Sequence, residues 1–155
     1  MIRVKKIKLT DKQTKVRCEY EKRNSNLGWD EFTIHTTEDP EPELLECLRD
    51  LREDLIEICE LEDEMSNVSV TGVSFSHQES GYGATLIGFK GLSKSNAPLN
   101  LVAPHKRTGE DVDEKQQLSG KCADRLSRLI NFALRFIDGK RAQGNIFEHI
   151  DQSTI

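Results

Sequence analysis

Residues 42–61, PELLECLRDLREDLIEICEL, form an acidic amphipathic segment between two strand-rich halves of the chain. The apolar residues recur at intervals of three and four, which is the spacing of one face of an α-helix. They are Leu44, Leu48, Leu51, Leu55 and Ile58, with Leu45, Ile56 and Cys59 at the margins. Asp39, Pro40 and Pro42 suit a helix start, because proline is tolerated in the first turn. We therefore predict one helix over residues 42–61.

The opposite face of this predicted helix is acidic. Its carboxylates, relieved only by Arg49 and Arg52, are Glu43, Glu46, Asp50, Glu53, Asp54 and Glu57. Like charges four residues apart repel by roughly 0.2–0.5 kcal/mol per pair, a cost that a folded domain tolerates. A solvated helix face explains this pattern. The functional alternative is an acidic surface that imitates DNA or docks a basic partner.

On both sides of this segment, apolar and polar residues alternate as they do in β-strands. The predicted strands cover residues 2–9, 16–20, 29–35, 68–75, 84–92 and 99–103. We expect a bulge at Lys5 and Lys6, where the alternation slips, and a register shift at Gly72. A second amphipathic helix is predicted over residues 116–138, with Gly139 as its left-handed cap.

The order of these elements predicts the fold class. Three strands, a helix, three strands and a helix suit an α+β two-layer sandwich, with two long helices on one face of an antiparallel sheet of about six strands. One apolar face per sheet and one apolar stripe per helix are then sufficient to build a core. We predict a single domain over residues 1–139 and a C-terminal tail over residues 140–155.

The composition predicts a cytoplasmic protein. The chain has 155 residues and a net charge of −5, and no apolar run approaches the ~20 residues of a membrane span. Charges interrupt the apolar pattern of the N-terminus, so we predict no signal peptide. Cys18, Cys47, Cys59 and Cys122 lie far apart and form no CxxC pair, which is typical of buried reduced thiols. We predict no metal site and no cofactor.

The N-terminal strands are basic, although the whole chain is acidic. The candidate residues for binding a nucleic acid are Arg3, Lys5, Lys6, Lys8, Lys15 and Arg17, with Trp29 and His35 as stacking surfaces. If both helices cover the other side of the sheet, this face is open, as in proteins that bind single strands. The simpler explanation is a charged outer face that prevents pairing with other sheets.

One long polar loop carries the residue types of an enzyme or a metal site. Residues 104–107, PHKR, precede Glu110, Asp111, Asp113 and Glu114, and histidine with carboxylates can bind a metal or a phosphate. The chain contains no HExxH, GxSxG or P-loop motif. We therefore predict a solvated loop and a protein that is not an enzyme, and leave open whether this loop binds a ligand.

The tail KRAQGNIFEHIDQSTI contains the sharpest functional pattern. Gln143, Ile146 and Phe147 resemble the pentapeptide by which bacterial proteins bind the replicative sliding clamp: a glutamine, two variable residues, an aliphatic and an aromatic residue. Gly144 and Asn145 depart from the tighter versions of that motif. Two apolar anchors in a groove, with an amide that sets the register, are a common mode of peptide recognition. The alternative is that Ile146, Phe147 and Ile150 form a last half-turn that folds back on the core.

The whole chain resembles small proteins encoded in phage and prophage genomes of Gram-positive bacteria. The resemblance rests on IRVKKIKLTD (2–11), the run from CELEDE (59–64) to VTGVSFS (70–76), NAPLNLVAPHK (96–106) and RAQGNIF (141–147). It names no activity, but it implies an intracellular protein made during infection. The predicted function is a non-enzymatic accessory of DNA replication, recombination or host takeover, recruited to the host sliding clamp. The alternatives are an acidic decoy that inhibits a host enzyme and a single-stranded nucleic-acid-binding protein.

Overall fold

The computed structural model describes residues 1–10, 12–109 and 111–143. The strands are β1 (Ile2–Thr10), β2 (Lys15–Arg23), β3 (Trp29–His35), β4 (Val68–Gln78), β5 (Gly81–Lys90), β6 (Leu99–Val102) and β7 (Lys106–Arg107). The α-helices are α1 (Pro42–Asp50), α2 (Arg52–Ile58) and α3 (Gly120–Ile137), and 3₁₀ turns span Glu62–Glu64 and Glu114–Gln116. The predicted clamp anchors Ile146 and Phe147 lie outside the described residues, as does Glu110.

The strands form one antiparallel sheet in the order β3-β2-β1-β4-β5-β6, which confirms the α+β class and the antiparallel pairing. The pairing of β1 with β4 joins the two halves of the chain. Both predicted irregularities are confirmed, because the register shifts between Val4 and Lys6 and again between Val70 and Gly72. The sheet has seven strands instead of about six, since β7 adds to β5 beside β6.

The core lies between the helices and one face of the sheet. The five leucines that the helical stripes predicted to be buried, Leu48, Leu51, Leu55, Leu126 and Leu129, are each fully buried. The sheet contributes Val4, Ile7, Val16, Cys18, Val73 and Leu86. A Cβ placed on Gly88 would lie 2.6 Å from Cδ2 of Leu55, so position 88 faces the helices and its neighbours in β5 face away.

The first predicted helix is in fact two helices. Leu51 separates α1 from α2, and its N–H donates to the carbonyl of Leu48 at 3.2 Å instead of to the fourth residue back. Such a tighter bond is typical of a local 3₁₀ turn. Beyond the break, the side chain of Arg52 donates to the carbonyls of Val68 (3.0 Å) and Met65. This arginine therefore joins α2 to the start of β4, a contact that periodicity does not predict.

The second predicted helix begins four residues later than expected. Ser119 is its N-cap and accepts a bond from the N–H of Cys122 at 3.1 Å, whereas residues 114–116 form a separate 3₁₀ turn. The helix ends as predicted, because Gly139 has φ +98° and the N–H of Lys140 donates to the carbonyl of Arg135. These are the features of a Schellman cap.

The chain beyond Gly139 turns back onto the body of the domain. The Arg141 guanidinium lies 3.9 Å from the centre of the Phe136 ring and pairs with Glu38 at 3.3 Å. The N–H of Ala142 donates to the carbonyl of Asp39 at 2.9 Å. Residues 140–142 of the predicted tail are therefore attached to the segment that precedes α1.

Candidate functional site

Asp54 does not belong to the acidic surface on which the sequence placed it. It is 3% exposed, and its Oδ2 accepts a bond from Nη1 of Arg125 in α3 at 3.0 Å. The other Nη of Arg125 reaches Glu53 at 3.2 Å. The reason is that α3 packs against α1 and reaches α2 through Arg125, which covers a side of the acidic segment that an isolated helix would expose to water. An unpaired buried carboxylate would be costly, and Arg125 supplies the pairing.

The chemistry around Asp54 follows from its burial. Burial raises the pKa of the Asp54 carboxyl, and the bond from Arg125 opposes that shift. Burial also raises the pKa of the neighbouring Cys122 thiol to about 12. A thiol with this pKa is protonated at neutral pH and is a poor nucleophile. Cys122 thus behaves as a small core residue, and burial likewise raises the pKa of Cys18 to about 12.

Two further ion pairs join α3 to the acidic segment and to Glu41, the residue before it. Asp50 pairs with Arg128 at 3.3 Å, and the carboxylate of Glu41 accepts two bonds of 2.8 Å from Arg135. Glu43, Glu46 and Glu57 remain exposed. The acidic surface available to a partner is therefore smaller than the six predicted carboxylates.

The sheet face opposite the helices is open. In the part of the chain that the structure describes, no helix covers it, and its side chains are half-buried or exposed. The cations on this face are Arg3, Lys5, Lys6, Lys8, Arg17 and Arg23, and its acids are Glu19, Glu21 and Glu31. Most of the predicted basic residues are therefore brought onto one surface, as the alternation implied.

Two of the predicted basic residues have acidic partners. Lys15 pairs with Asp39, and Lys5 lies 3.8 Å from Glu21. Lys8 and Arg17 are exposed and stand directly opposite each other on β1 and β2, and neither has an ion-pair partner among residues 1–10, 12–109 and 111–143. The cationic character of the open face is thus concentrated at this pair.

The predicted stacking residues are not equally available. The Trp29 ring is contacted by two guanidinium groups, that of Arg3 at 3.9 Å and that of Arg23 at 5.1 Å from the ring centre. Cation–π contacts of this kind occupy the ring face that a nucleic-acid base would use. His35 is exposed and lies opposite Arg17 in the register.

The open face also holds a cluster that sequence reasoning did not assemble. Nδ1 of His105 lies 2.9 Å from Oγ1 of Thr85, and its Nε2 lies 3.0 Å from Oγ of Ser76. The ring lies against Gly83, where an added Cβ would collide with it. The predicted polar loop is partly a strand at this point, because Lys106 and Arg107 pair with β5 as β7. Only the strand register, which the sequence does not specify, reveals this proximity.

A cavity of about 580 Å³ lies between the end of α2, the β6–β7 connection and the start of α3. It is lined by acids and lysines together, among them Glu57, Glu60, Glu114, Lys106 and Lys115. The Lys106 ammonium donates to the carbonyl of Lys115. Within the described residues, no three histidine, cysteine or acidic side chains are placed to hold a metal ion. The mixed lining indicates no single class of ligand.

Of the predicted clamp-binding residues, only Gln143 lies within the described part of the chain. Gln143 is exposed, and it follows directly after Ala142, the last residue with a described bond to the domain.

None of the helices within the described ranges has the length and apolarity to cross a membrane. No protein-family model matches the chain, and neither curated proteins nor solved structures provide a match. The resemblance to phage-encoded proteins stays a prediction.

Proposed function

We propose that this protein is a non-enzymatic accessory of phage type that acts in DNA replication, recombination or host takeover, and that its tail recruits it to the host sliding clamp. It would act in the cytoplasm of the infected or lysogenic bacterium. Gln143 would set the register of the motif in the clamp groove, with Ile146 and Phe147 as the apolar anchors.

The observation that carries this proposal is the attachment of residues 140–142. The ion pair of Arg141 with Glu38 and the bond from Ala142 to Asp39 fix the chain at one place on the domain. The next residue, Gln143, has an exposed side chain. A linear motif needs its polar residue accessible to a partner, and this arrangement supports that requirement for the first residue of the motif.

The test is a double substitution, Ile146→Ala with Phe147→Ala, measured for binding to a purified bacterial sliding clamp. Removing two apolar anchors from an interface typically costs several kcal/mol, enough to turn micromolar binding into none. We expect binding to disappear and the melting temperature to stay unchanged. Gln143→Ala should weaken binding to a smaller extent.

The matched control is Gln152→Ala, which changes a tail residue outside the motif and should leave binding intact. Failure of the native protein to bind the clamp would end the proposal. A large fall in the melting temperature of the double variant would instead indicate that the two residues pack on the core.

The acidic-decoy alternative has weaker support. Asp54 is buried, and Asp50 and Glu53 already pair with arginines of α3. A decoy would have to bind its target through the exposed carboxylates that remain, Glu43, Glu46 and Glu57. Ion pairs within the protein compete with any basic partner for the same carboxylates.

A further inference from the structure

The open sheet face has a cationic half and an apolar half, joined by a row of residues that runs across the strands. In this row Arg17 stands opposite Lys8, Lys8 opposite Gly72, Gly72 opposite Ile87, and Ile87 opposite Val102. Neighbouring strands are about 4.8 Å apart, so Lys8 and Ile87 lie about 10 Å apart at the backbone. Gly72 places no side chain between the two halves.

The cationic half contains two like charges that face each other across neighbouring strands. Lys8 and Arg17 are like charges directly opposite each other, an arrangement that destabilises a sheet. Within the described residues, neither of them has a carboxylate in ion-pair contact, whereas Lys6 faces Glu19 across the strands. Lys6 is two residues from Lys8 on the same strand, about 7 Å away. An anion with more than one charge would relieve this repulsion.

The apolar half consists of half-buried Ile87 and Phe89 with exposed Val102 beside them. Ile87 and Phe89 of β5 point away from the helices, because Gly88 between them faces Leu55. Neither belongs to the apolar residues that pack against the core. Val102 beside Ile87 is 70% exposed. Phe89 supplies an aromatic ring, and no cation of residues 1–10, 12–109 or 111–143 lies over it as Arg3 and Arg23 lie over Trp29.

Polar groups lie between the two halves. Ser74 stands opposite Lys6 on one side and Thr85 on the other. The hydroxyl of Thr85 is hydrogen-bonded to His105, whose ring lies against Gly83. Hydroxyl and imidazole groups can donate hydrogen bonds to sugar and phosphate oxygens.

We propose that this open face binds single-stranded nucleic acid, with the phosphates along Lys6, Lys8 and Arg17 and the bases over Ile87 and Phe89. Proteins that bind single strands combine a basic track for the backbone with aromatic side chains on which bases stack. The cationic row is complementary in charge to phosphates. The apolar residues beside it favour a nucleic acid over an acidic protein, because bases stack on such a surface. The proposal goes beyond clamp recruitment and assigns stacking to Phe89 instead of Trp29.

The experiment measures binding of a fluorescent oligothymidylate to the full chain by anisotropy between 50 and 200 mM salt, a range over which phosphate contacts weaken strongly. Three phosphate contacts predict a log–log salt slope of about −2. Lys8→Ala with Arg17→Ala should weaken binding about tenfold and reduce the slope by about 1.4. Phe89→Ala should weaken binding at least about fivefold through lost stacking.

The controls separate binding from folding and from the tail. Because Lys8→Ala with Arg17→Ala removes a repulsion, its melting temperature should stay equal or rise. Arg49→Ala with Lys121→Ala removes the same charge from exposed sites on the helices and should leave binding within about twofold. Ile146→Ala with Phe147→Ala should also bind normally, so that this proposal and clamp recruitment fail independently.

Three results would overturn the assignment. The first is no binding of the oligonucleotide by the native protein at 50 mM salt. The second is equal loss of binding in the two double-charge variants, which would indicate a non-specific charge effect. The third is equal competition by duplex DNA or heparin together with no effect of Phe89→Ala, which would indicate a general polyanion site without stacking.

Discussion

Single arginines of α3 determine how the acidic segment behaves. Arg125 makes the burial of Asp54 tolerable, and Arg135 holds Glu41 with two hydrogen bonds of 2.8 Å. The two carboxyls respond in opposite directions. Burial raises the pKa of Asp54, whereas the hydrogen bonds from Arg135 lower that of Glu41 below its ordinary value of 4.5. Two acidic residues near each other in sequence therefore differ in environment, and their charge alone does not reveal the difference.

The lowered pKa of Glu41 predicts a pH-dependent contribution to stability. A carboxyl whose pKa is lowered on folding stabilises the protein above its unfolded pKa, and the stabilisation is lost as the pH falls through the folded pKa. Glu41→Gln should therefore lower the melting temperature at pH 7, and the difference from the native protein should shrink as the pH falls below 4.5. Melting curves between pH 7 and acid values measure it.

Glu46→Gln is the matched control for this substitution. It removes the same charge from the same segment, but Glu46 is exposed and makes no ion pair with any residue that the structure describes. Its melting temperature should differ little from that of the native protein at either pH. A Glu41→Gln difference that stays constant into acid would show that charge is not its cause.

At the scale of elements, the break at Leu51 interrupts the helix but not its buried face. The buried stripe continues across it, since Leu48, Leu51 and Leu55 are all fully buried. The break leaves Arg52 bonded to the carbonyls of Met65 and Val68, which closes the connection to β4. Leu51 thus faces the core, and the next residue, Arg52, binds the segment that leads into β4.

Leu51→Ala tests the packing of this element. Because Leu51 has ordinary right-handed backbone angles, φ −79° and ψ −2°, alanine fits there without backbone strain. We expect the free energy of unfolding to fall by about 2–5 kcal/mol, as in other large-to-small core changes. Denaturant unfolding measures this loss.

The same change at an exposed leucine provides the comparison. Leu99 is 48% exposed, and Leu99→Ala should alter the free energy of unfolding by no more than about 0.5 kcal/mol. Equal losses at Leu51 and Leu99 would contradict the burial that defines the core.

At the scale of the whole molecule, the two sides of the sheet differ in charge. The open side of β1, β2 and β3 carries more cations than acids. The helix side carries the acidic segment, but the arginines of α3 lie on the same side and pair with several of its carboxylates. The net charge of −5 does not reveal this difference. The predicted tail begins at a third place, beside Glu38 and Asp39.

The attachment of the chain beyond Gly139 can be tested by truncation. A chain that ends at Gly139 loses the contacts of Arg141 with Glu38 and Phe136 and the bond from Ala142 to Asp39. Compared with a chain that ends at Gln143, it should lose about 1–3 kcal/mol of unfolding free energy. Denaturant unfolding of the two truncated chains measures the difference.

Arg141→Ala in the full chain should reproduce most of that loss, because Arg141 makes two of the three contacts. Equal stability of the two truncated chains would place the end of the folded domain at Gly139, as the sequence predicted. A loss confined to the shorter chain would place residues 140–142 within it.

The sequence by itself determined the class of fold, six of the seven described strands and the buried stripes, because each depends on periodicity along one segment. The alternation in β1 and β2 and the three- and four-residue spacing of the leucines are local signals. The bulge after Val4, the irregularity at Gly72 and the cap at Gly139 are local as well. Residues 1–17 therefore predicted a basic sheet face before any strand was paired.

Only the tertiary structure decided which side chains meet. The burial of Asp54 requires α3 to lie beside α2, and a helical pattern does not specify which neighbour covers its margin. The cluster around His105 requires the register of β4, β5 and β7, which brings together residues 20 or more positions apart. The facing of Lys8 and Arg17 likewise follows from the bulged pairing of β1 with β2. Contacts between elements depend on packing and register, which are properties of the whole chain.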